Sequence, residues 1–344
     1  YITSSTFEAA RLIKTVTNDG VKPSLHGHSF LARVSANTSS SDYQILQSRL
    51  ADTVRSLDHQ FLNNHIAEPS DSEVANWIAG KFEDLANFQC AVRSSSRKGA
   101  FINSKGLSFI WESFRFEAAH WLPYVPEDHP CARLHGHGFE VFLYSGLGQD
   151  FESSQNLSDY VDELRRELHG LTLNHIPGLE NPTSELLAIW IWERVIKLSA
   201  SLAGVIVMEN TSSGCHYNGH SHQIWKDIFF EAAVPSTFSN KVLGHSYCCR
   251  LYLCSVIDDA LGWTIDYGEV KAKFDQIYDQ LDHRFLGDLS GLEESSLEGL
   301  VRWIEKRMVS QIPFLDRLDL YETPGCGICL ILPEGSDTRE FLLP

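Results

Sequence analysis

Phe116-Glu117-Ala118-Ala119-His120, followed by Cys131-Ala132-Arg133-Leu134-His135-Gly136-His137, is the stretch on which the reading of this chain turns. It returns twice in altered form. Phe7-Glu8-Ala9-Ala10-Arg11 precedes His26-Gly27-His28, and Phe230-Glu231-Ala232-Ala233-Val234 precedes Leu243-Gly244-His245. A pattern that recurs in order at long spacing is an internal repeat, and here only the middle copy keeps all its histidines.

Two further landmarks hold the register. Leu57-Asp58-His59 with Phe61-Leu62-Asn63 is matched by Leu281-Asp282-His283 with Phe285-Leu286, whereas the middle copy reads Leu168-His169-Gly170 with Leu173-Asn174. A hydroxyl-bearing helix start then leads to a glutamate, at Glu73, Glu185 and Glu298. Phe7 to His28 spans as many residues as Phe116 to His137, and Glu185 to Glu209 as many as Glu298 to Glu322. The chain therefore divides into units 1–104, 105–219 and 220–344.

Each unit reads as strand, strand, helix, helix, strand, strand. Arg115 to Leu122 and Gly138 to Tyr144 are rich in aromatic or alternating residues, as strands are. Asp159 to Leu168 spaces its leucines for a helix. Pro182-Thr183-Ser184-Glu185 is a helix-start signal. Ala203 to Glu209 reads as a short strand, with Gly214-Cys215-His216-Tyr217 after a turn. The Ser-, Gly-, Lys- or His-rich segments near 94–108 and 218–224 read as linkers.

Composition narrows the function. A net charge of −17 over 344 residues argues against a nucleic-acid surface. No apolar run is long enough for a transmembrane helix, and the first residues lack the charged-then-apolar pattern of a signal peptide. Eight scattered cysteines favour a reducing compartment, so a cytoplasmic location is expected. Cys326-Gly327-Ile328-Cys329 in a strand points its thiols to opposite faces and reads as packing.

In a strand, residues two apart share a face. His135 and His137 therefore project together, and His120 on the preceding strand can join them if the strands pair. Three neutral imidazoles with an open fourth position describe a catalytic zinc site. Cys131 is either a fourth ligand or a thiol held near the metal with a depressed pKa. The first copy has Arg11 and Lys22 at two of these positions, and the third has Val234 and Leu243. One zinc per chain is expected.

These motifs, with Leu173-Asn174-His175-Ile176-Pro177-Gly178-Leu179-Glu180-Asn181-Pro182-Thr183-Ser184-Glu185, resemble the 6-pyruvoyl-tetrahydropterin synthase superfamily. The nearest resemblance is to the 6-carboxy-5,6,7,8-tetrahydropterin synthases of the queuosine pathway. It covers nearly the whole chain, most clearly over 108–219 and least over 1–104. It implies an α+β protein of three tandem tunnelling-fold (T-fold, ββααββ) units. These would form an intramolecular pseudo-trimeric, twelve-stranded antiparallel barrel with helices outside, and a dimer of two stacked chains is an assembly open to it.

The resemblance also implies roles. His120, His135 and His137 hold zinc, Cys131 acts as base, and an Asp-His dyad tunes proton transfer. Glutamate anchors the pterin: Glu209 in the middle unit and Glu322 in the third, with Thr183 beside the substrate. The first unit has Arg93 at the anchor position, near Arg97 and Lys98, a cluster that reads either as a phosphate-holding group or, more commonly, as a solvated basic loop. The middle unit lacks the dyad, so Asp58-His59 or Asp282-His283 of a neighbouring unit would complete its site. The third unit is the better lender, since it keeps both dyad and glutamate. The implied activity is that of a carbon–carbon lyase on 7,8-dihydroneopterin triphosphate or a related dihydropterin. The alternatives are a pyruvoyl-forming or aldolase-like enzyme, and a non-catalytic pterin- or purine-binding protein.

Overall fold

The computed structural model describes residues 1–17, 20–147, 153–236, 241–312 and 314–332. The first copy contains β1 (Ile2–Thr17), β2 (Gly20–Ser35), α1 (Tyr43–Arg55), β3 (Gln60–Phe61), α2 (Asp71–Ala79), β4 (Gln89–Arg93) and β5 (Lys98–Ile102). The second contains β6 (Ser108–His120), β7 (His135–Gly146), α3 (Ser153–Leu168), α4 (Ser184–Val195), β8 (Leu202–Asn210) and β9 (Ser213–Tyr217). The third contains β10 (His222–Pro235), β11 (Val242–Leu253), α5 (Tyr267–Leu281), β12 (Arg284–Phe285), α6 (Leu297–Met308), β13 (Leu315–Thr323) and β14 (Cys326–Ile331). Each copy is a ββααββ unit, and together they supply twelve principal antiparallel strands and six helices. The two-residue strands β3 and β12 pair parallel with β1 and β10.

The chain forms two compact units that do not follow the copies one for one. The first is built on Tyr1–Glu112 with Tyr144–Ser154. Its strand order is β1-β2-β4-β5, ending on the start of β6. Phe7, Phe30, Ala32 and Val34 bury one sheet face beneath Leu46, Leu50 and Val54 of α1 and Val74, Ala75 and Ile78 of α2. The second unit holds Ser113–Leu143 and Gln155–Arg339. Its strands run β6-β7-β8-β9-β10-β11-β13-β14. There α4 packs on β8 and β9, α5 on β10, and α6 on β13 and β14.

The second helix of each copy starts on a hydroxyl cap. Ser70 accepts from the N–H of Glu73, Thr183 from Leu186, and Ser296 from Gly299. Each such cap satisfies an otherwise orphan donor and stabilises by about 1 kcal/mol. In the third copy the sheet face away from the helices carries buried charge in matched pairs. Arg250 grips Asp227 at 2.5 and 2.8 Å, and Arg317 grips Asp319 at 2.8 and 2.7 Å. A buried guanidinium is tolerable only with such a partner.

The segment near 94–108 is not a linker. It contains β5, and a β-carbon added at Gly99 would lie 2.7 Å from the Trp111 ring and 2.6 Å from the Val92 carbonyl. The glycine there serves close strand packing, not flexibility. The segment near 218–224 shrinks to a tight turn between β9 and β10, with Gly219 at φ 89°.

Candidate metal centre

His120 ends β6, and His135 and His137 begin β7, the neighbouring strand. Gly136 lets the strands close up, since a β-carbon there would sit 2.9 Å from the Ala118 carbonyl oxygen. One ring nitrogen from each histidine lies within 4.8 Å of the others, and among the described residues no other His, Cys, Asp or Glu group converges in this way. The Nε2 atoms of His120 and His137 are 3.1 Å apart.

The surrounding backbone sets which nitrogen faces inward. His120 Nδ1 donates to the Pro182 carbonyl at 3.2 Å, and His135 Nδ1 to the Arg133 carbonyl at 2.8 Å. Both then present Nε2 as a lone pair, the usual second-sphere arrangement around a metal. His120 is 1% exposed. Burial lowers its pKa to about 4, aided by His137 and His135 and opposed by Glu209. It is therefore neutral at physiological pH, as a ligand must be. The donor set fits a zinc ion or a similar borderline cation.

Glu209, near the end of β8, reaches this cluster. Its carboxylate is 3.4 Å from His137 Nε2 and 3.9 Å from His120 Nε2. Burial alone would raise its pKa, but the bond to His137 and the nearness of His120, His137 and His135 outweigh it, so the net shift is downward. A fixed anion beside three imidazoles compensates a bound cation.

Cys131 lies in a 3₁₀ turn, Pro130–Ala132, between β6 and β7. It stands outside the converging group of His120, His135 and His137. Its pKa in the protein alone is not depressed. Burial, then Glu209 and Asp266, push it up to about 11. A thiolate there needs a nearby cation.

The outer copies have replaced the cluster. Arg11 sits opposite His26 on the β1–β2 ladder and is 4% exposed. Its guanidinium donates to the Pro69 carbonyl at 2.9 Å, Asp71 at 2.7 Å and Ser94 Oγ at 2.8 Å. A fixed side-chain cation thus occupies the first copy. In the third copy Val234 lies opposite Leu243, while Glu322 still stands near His245; burial raises its pKa and His245 opposes the rise.

The Asp-His pairs occupy one repeated turn. The Asp58 carboxylate accepts from the N–H of Glu8, and Asp282 from that of Glu231, each at 2.8 Å. His59 and His283 stand in the left-handed region at φ 56° and 54°. In the middle copy His169 Nδ1 accepts from Glu117, and Gly170 takes the left-handed place at φ 76°. The turn is thus common to all three copies. The outer two hold a histidine where glycine costs less, a strain of order 1 kcal/mol. His283 Nδ1 bonds Asp282 at 2.8 Å, while His59 is 3.3 Å from Asp58. Asp282 lies at the far end of α5 from Asp266, about 24 Å along the helix by its rise per residue.

Thr183 is 5% exposed, caps α4, and donates its hydroxyl to the Gly262 carbonyl at 2.6 Å. Its only side-chain donor is therefore spent on the third copy. The sequence reading did not single out His129 or Asp266, which are 3.1 Å apart across 137 residues. Asp266-Tyr267-Gly268-Glu269 carries a capping signal that marks a helix start but gives no hint of that contact.

Comparison with known proteins follows the copies. A family model described as 6-pyruvoyl tetrahydropterin synthase matches residues 1–96, 109–220 and 221–330. A curated relative, 6-carboxy-5,6,7,8-tetrahydropterin synthase of Synechocystis sp., is 34% identical over 122 residues, covering 31% of this chain and 91% of that protein. Among solved structures, Caenorhabditis elegans 6-pyruvoyl tetrahydropterin synthase aligns at 20% identity over 32% of this chain and 94% of its own, with a TM-score of 0.29. Uricase from Arthrobacter globiformis aligns at 9% identity over 61% of this chain and 80% of its own, with a TM-score of 0.36.

Proposed function

We propose that this chain, which belongs to the 6-pyruvoyl tetrahydropterin synthase family, is a zinc-dependent dihydropterin lyase of the 6-carboxytetrahydropterin synthase type. The observation that carries the reading is the convergence of His120, His135 and His137 in the one copy that also keeps Cys131. The 34% identity to the Synechocystis enzyme over 122 residues points the same way.

His120, His135 and His137 would hold the ion, which polarises a side-chain oxygen of the substrate and stabilises negative charge developing there. Cys131, once ionised, takes a proton from the hydroxylated side chain. Glu209 accepts hydrogen bonds from the pterin amino and ring N–H groups, which selects and orients the ring. Asp58-His59 and Asp282-His283 are the pairs the family pattern offers for moving the proton onward, but the length of α5 sets Asp282 about 24 Å from Asp266, which stands beside the Cys131 turn, and so counts against the third copy's pair within one chain. The left-handed backbone that each histidine keeps at a cost supports such a role.

The zinc-loaded chain incubated with 7,8-dihydroneopterin triphosphate is expected to release acetaldehyde, and Cys131→Ala is expected to abolish this. A pyruvoyl product without acetaldehyde would move the assignment to the sister activity. Tight pterin binding without turnover, equal in parent and Cys131→Ala, would make the chain a binding protein.

A further inference from the structure

The turn that carries Cys131 is tied to the third copy by one side chain. His129 caps the 3₁₀ turn, and its Nδ1 accepts from the N–H of Cys131 at 3.1 Å. The ring proton is therefore on Nε2, which donates to Asp266 Oδ2 at 3.1 Å. Asp266 is itself fixed, because Oδ1 caps α5 by accepting from the N–H groups of Gly268 and Glu269 at 2.6 and 3.0 Å. The Cys131 carbonyl is held as well, by the N–H of Leu122 at 2.8 Å.

The residues just before Asp266 are anchored on the start of α4. The Leu261 and Gly262 carbonyls accept from Asn181 and Thr183 at 2.8 and 2.6 Å. The Thr264 N–H donates to Glu185 at 3.0 Å, and Tyr267 shares a hydrogen bond with Ser184 at 2.9 Å. Gly262 is left-handed at φ 75°, and a β-carbon there would lie 2.5 Å from Asn181 Nδ2. Between Asn181 and Thr183 lies Pro182, whose carbonyl orients His120. One segment of the third copy thus braces both the cysteine turn and the backbone behind the first metal ligand.

We propose that His129 and Asp266 are positioning residues for Cys131, and that the third copy, having lost its own ligand set, serves the middle copy's site through this brace. The proposal rests on the reading of Cys131 as the reacting thiol. Neither residue needs to touch substrate.

Asp266→Asn tests it, because asparagine caps a helix as well as aspartate does but cannot supply the charge that holds His129. Two readouts are taken on the zinc-loaded full chain. One is kcat and KM on the dihydropterin; the other is the site-resolved rate of iodoacetamide labelling, cysteine by cysteine. The expected result is a kcat lowered roughly tenfold or more, in the range seen for second-sphere partners, with KM within about twofold. Cys131 labelling should at the same time be roughly two- to tenfold faster, since the turn loosens and a neighbouring carboxylate is lost. Asp266→Glu should recover much of the parent behaviour.

Unchanged or slower labelling of Cys131, or unchanged kcat, overturns the proposal. Faster labelling at buried Cys90, Cys215 and Cys249 as well would mean a lost fold, and His129→Gln then decides by the same criteria. If the parent turns over no dihydropterin, the lyase reading falls, while the labelling rates still decide the brace.

Discussion

The middle and third copies share a hairpin and differ at its rim. Phe116 stacks on Phe139 at 5.0 Å in one, and Phe230 on Tyr247 at 5.1 Å in the other. The first copy repeats the pair with Phe7 and Phe30 at 4.8 Å. A turn of strand beyond these rings, the middle copy carries His120 and His135, and the third carries Val234 and Leu243. Ligands can therefore come and go without disturbing what holds the hairpin, because the stabilising contacts lie beneath them. The dyad turn differs in the opposite sense: the outer copies keep Asp-His and the middle copy has His169-Gly170. The copies have specialised in complementary ways.

That comparison can be broken most forcefully at His120. His120→Ala is expected to reduce tightly held zinc from one per chain to roughly a tenth or less and to remove turnover, by metal analysis of the dialysed protein. Retained zinc would mean that the cluster is not the centre. The converse change sharpens it. Val234→His with Leu243→His restores the third copy's ligand set beside His245 and Glu322, and metal content is expected to rise towards about two per chain. A chain that folds but binds no more zinc would show that register alone does not make a site.

Glu185 gives a smaller effect with a defined pH window. It is 2% exposed, and burial pushes its pKa up to about 7 from 4.5, against bonds from Thr264 and Ser184. The folded state binds this proton more tightly than the unfolded state, so its contribution is full below pH 4.5 and is lost as pH rises through 7. Glu185→Gln should stabilise at pH 8 by about 1–3 kcal/mol and give nothing at pH 4, by denaturant unfolding. Equal effects at both pH values would contradict this. The smallest expected change is at the turn. His283→Gly removes the left-handed penalty and should raise stability by up to about 1 kcal/mol while lowering turnover if the dyad acts. A loss of stability would show that the histidine is held for structure.

Much of this was legible in the sequence, for definite reasons. Period-two alternation placed His135 and His137 on one face, and His120 on the preceding strand could join them once those strands paired. Caps at Ser70, Thr183 and Ser296 were written in the local residues. The left-handed turn was also within reach, since Gly170 stands where His59 and His283 stand in the other copies. The His129–Asp266 contact was not. It joins residues far apart in sequence, through a loop that carries no motif. Nor was the high pKa of Cys131, which depends on burial and on carboxylates from β8 and from the start of α5. The segment near 94–108 misled because serine, glycine and lysine read as a linker, whereas Gly99 is required by the nearness of Trp111.

That one copy of three grips the metal is tested most directly by the zinc content of the parent chain after exhaustive dialysis. One zinc per chain, lost on His135→Ala, is the predicted result. Two or more, or one that survives that substitution, would contradict it.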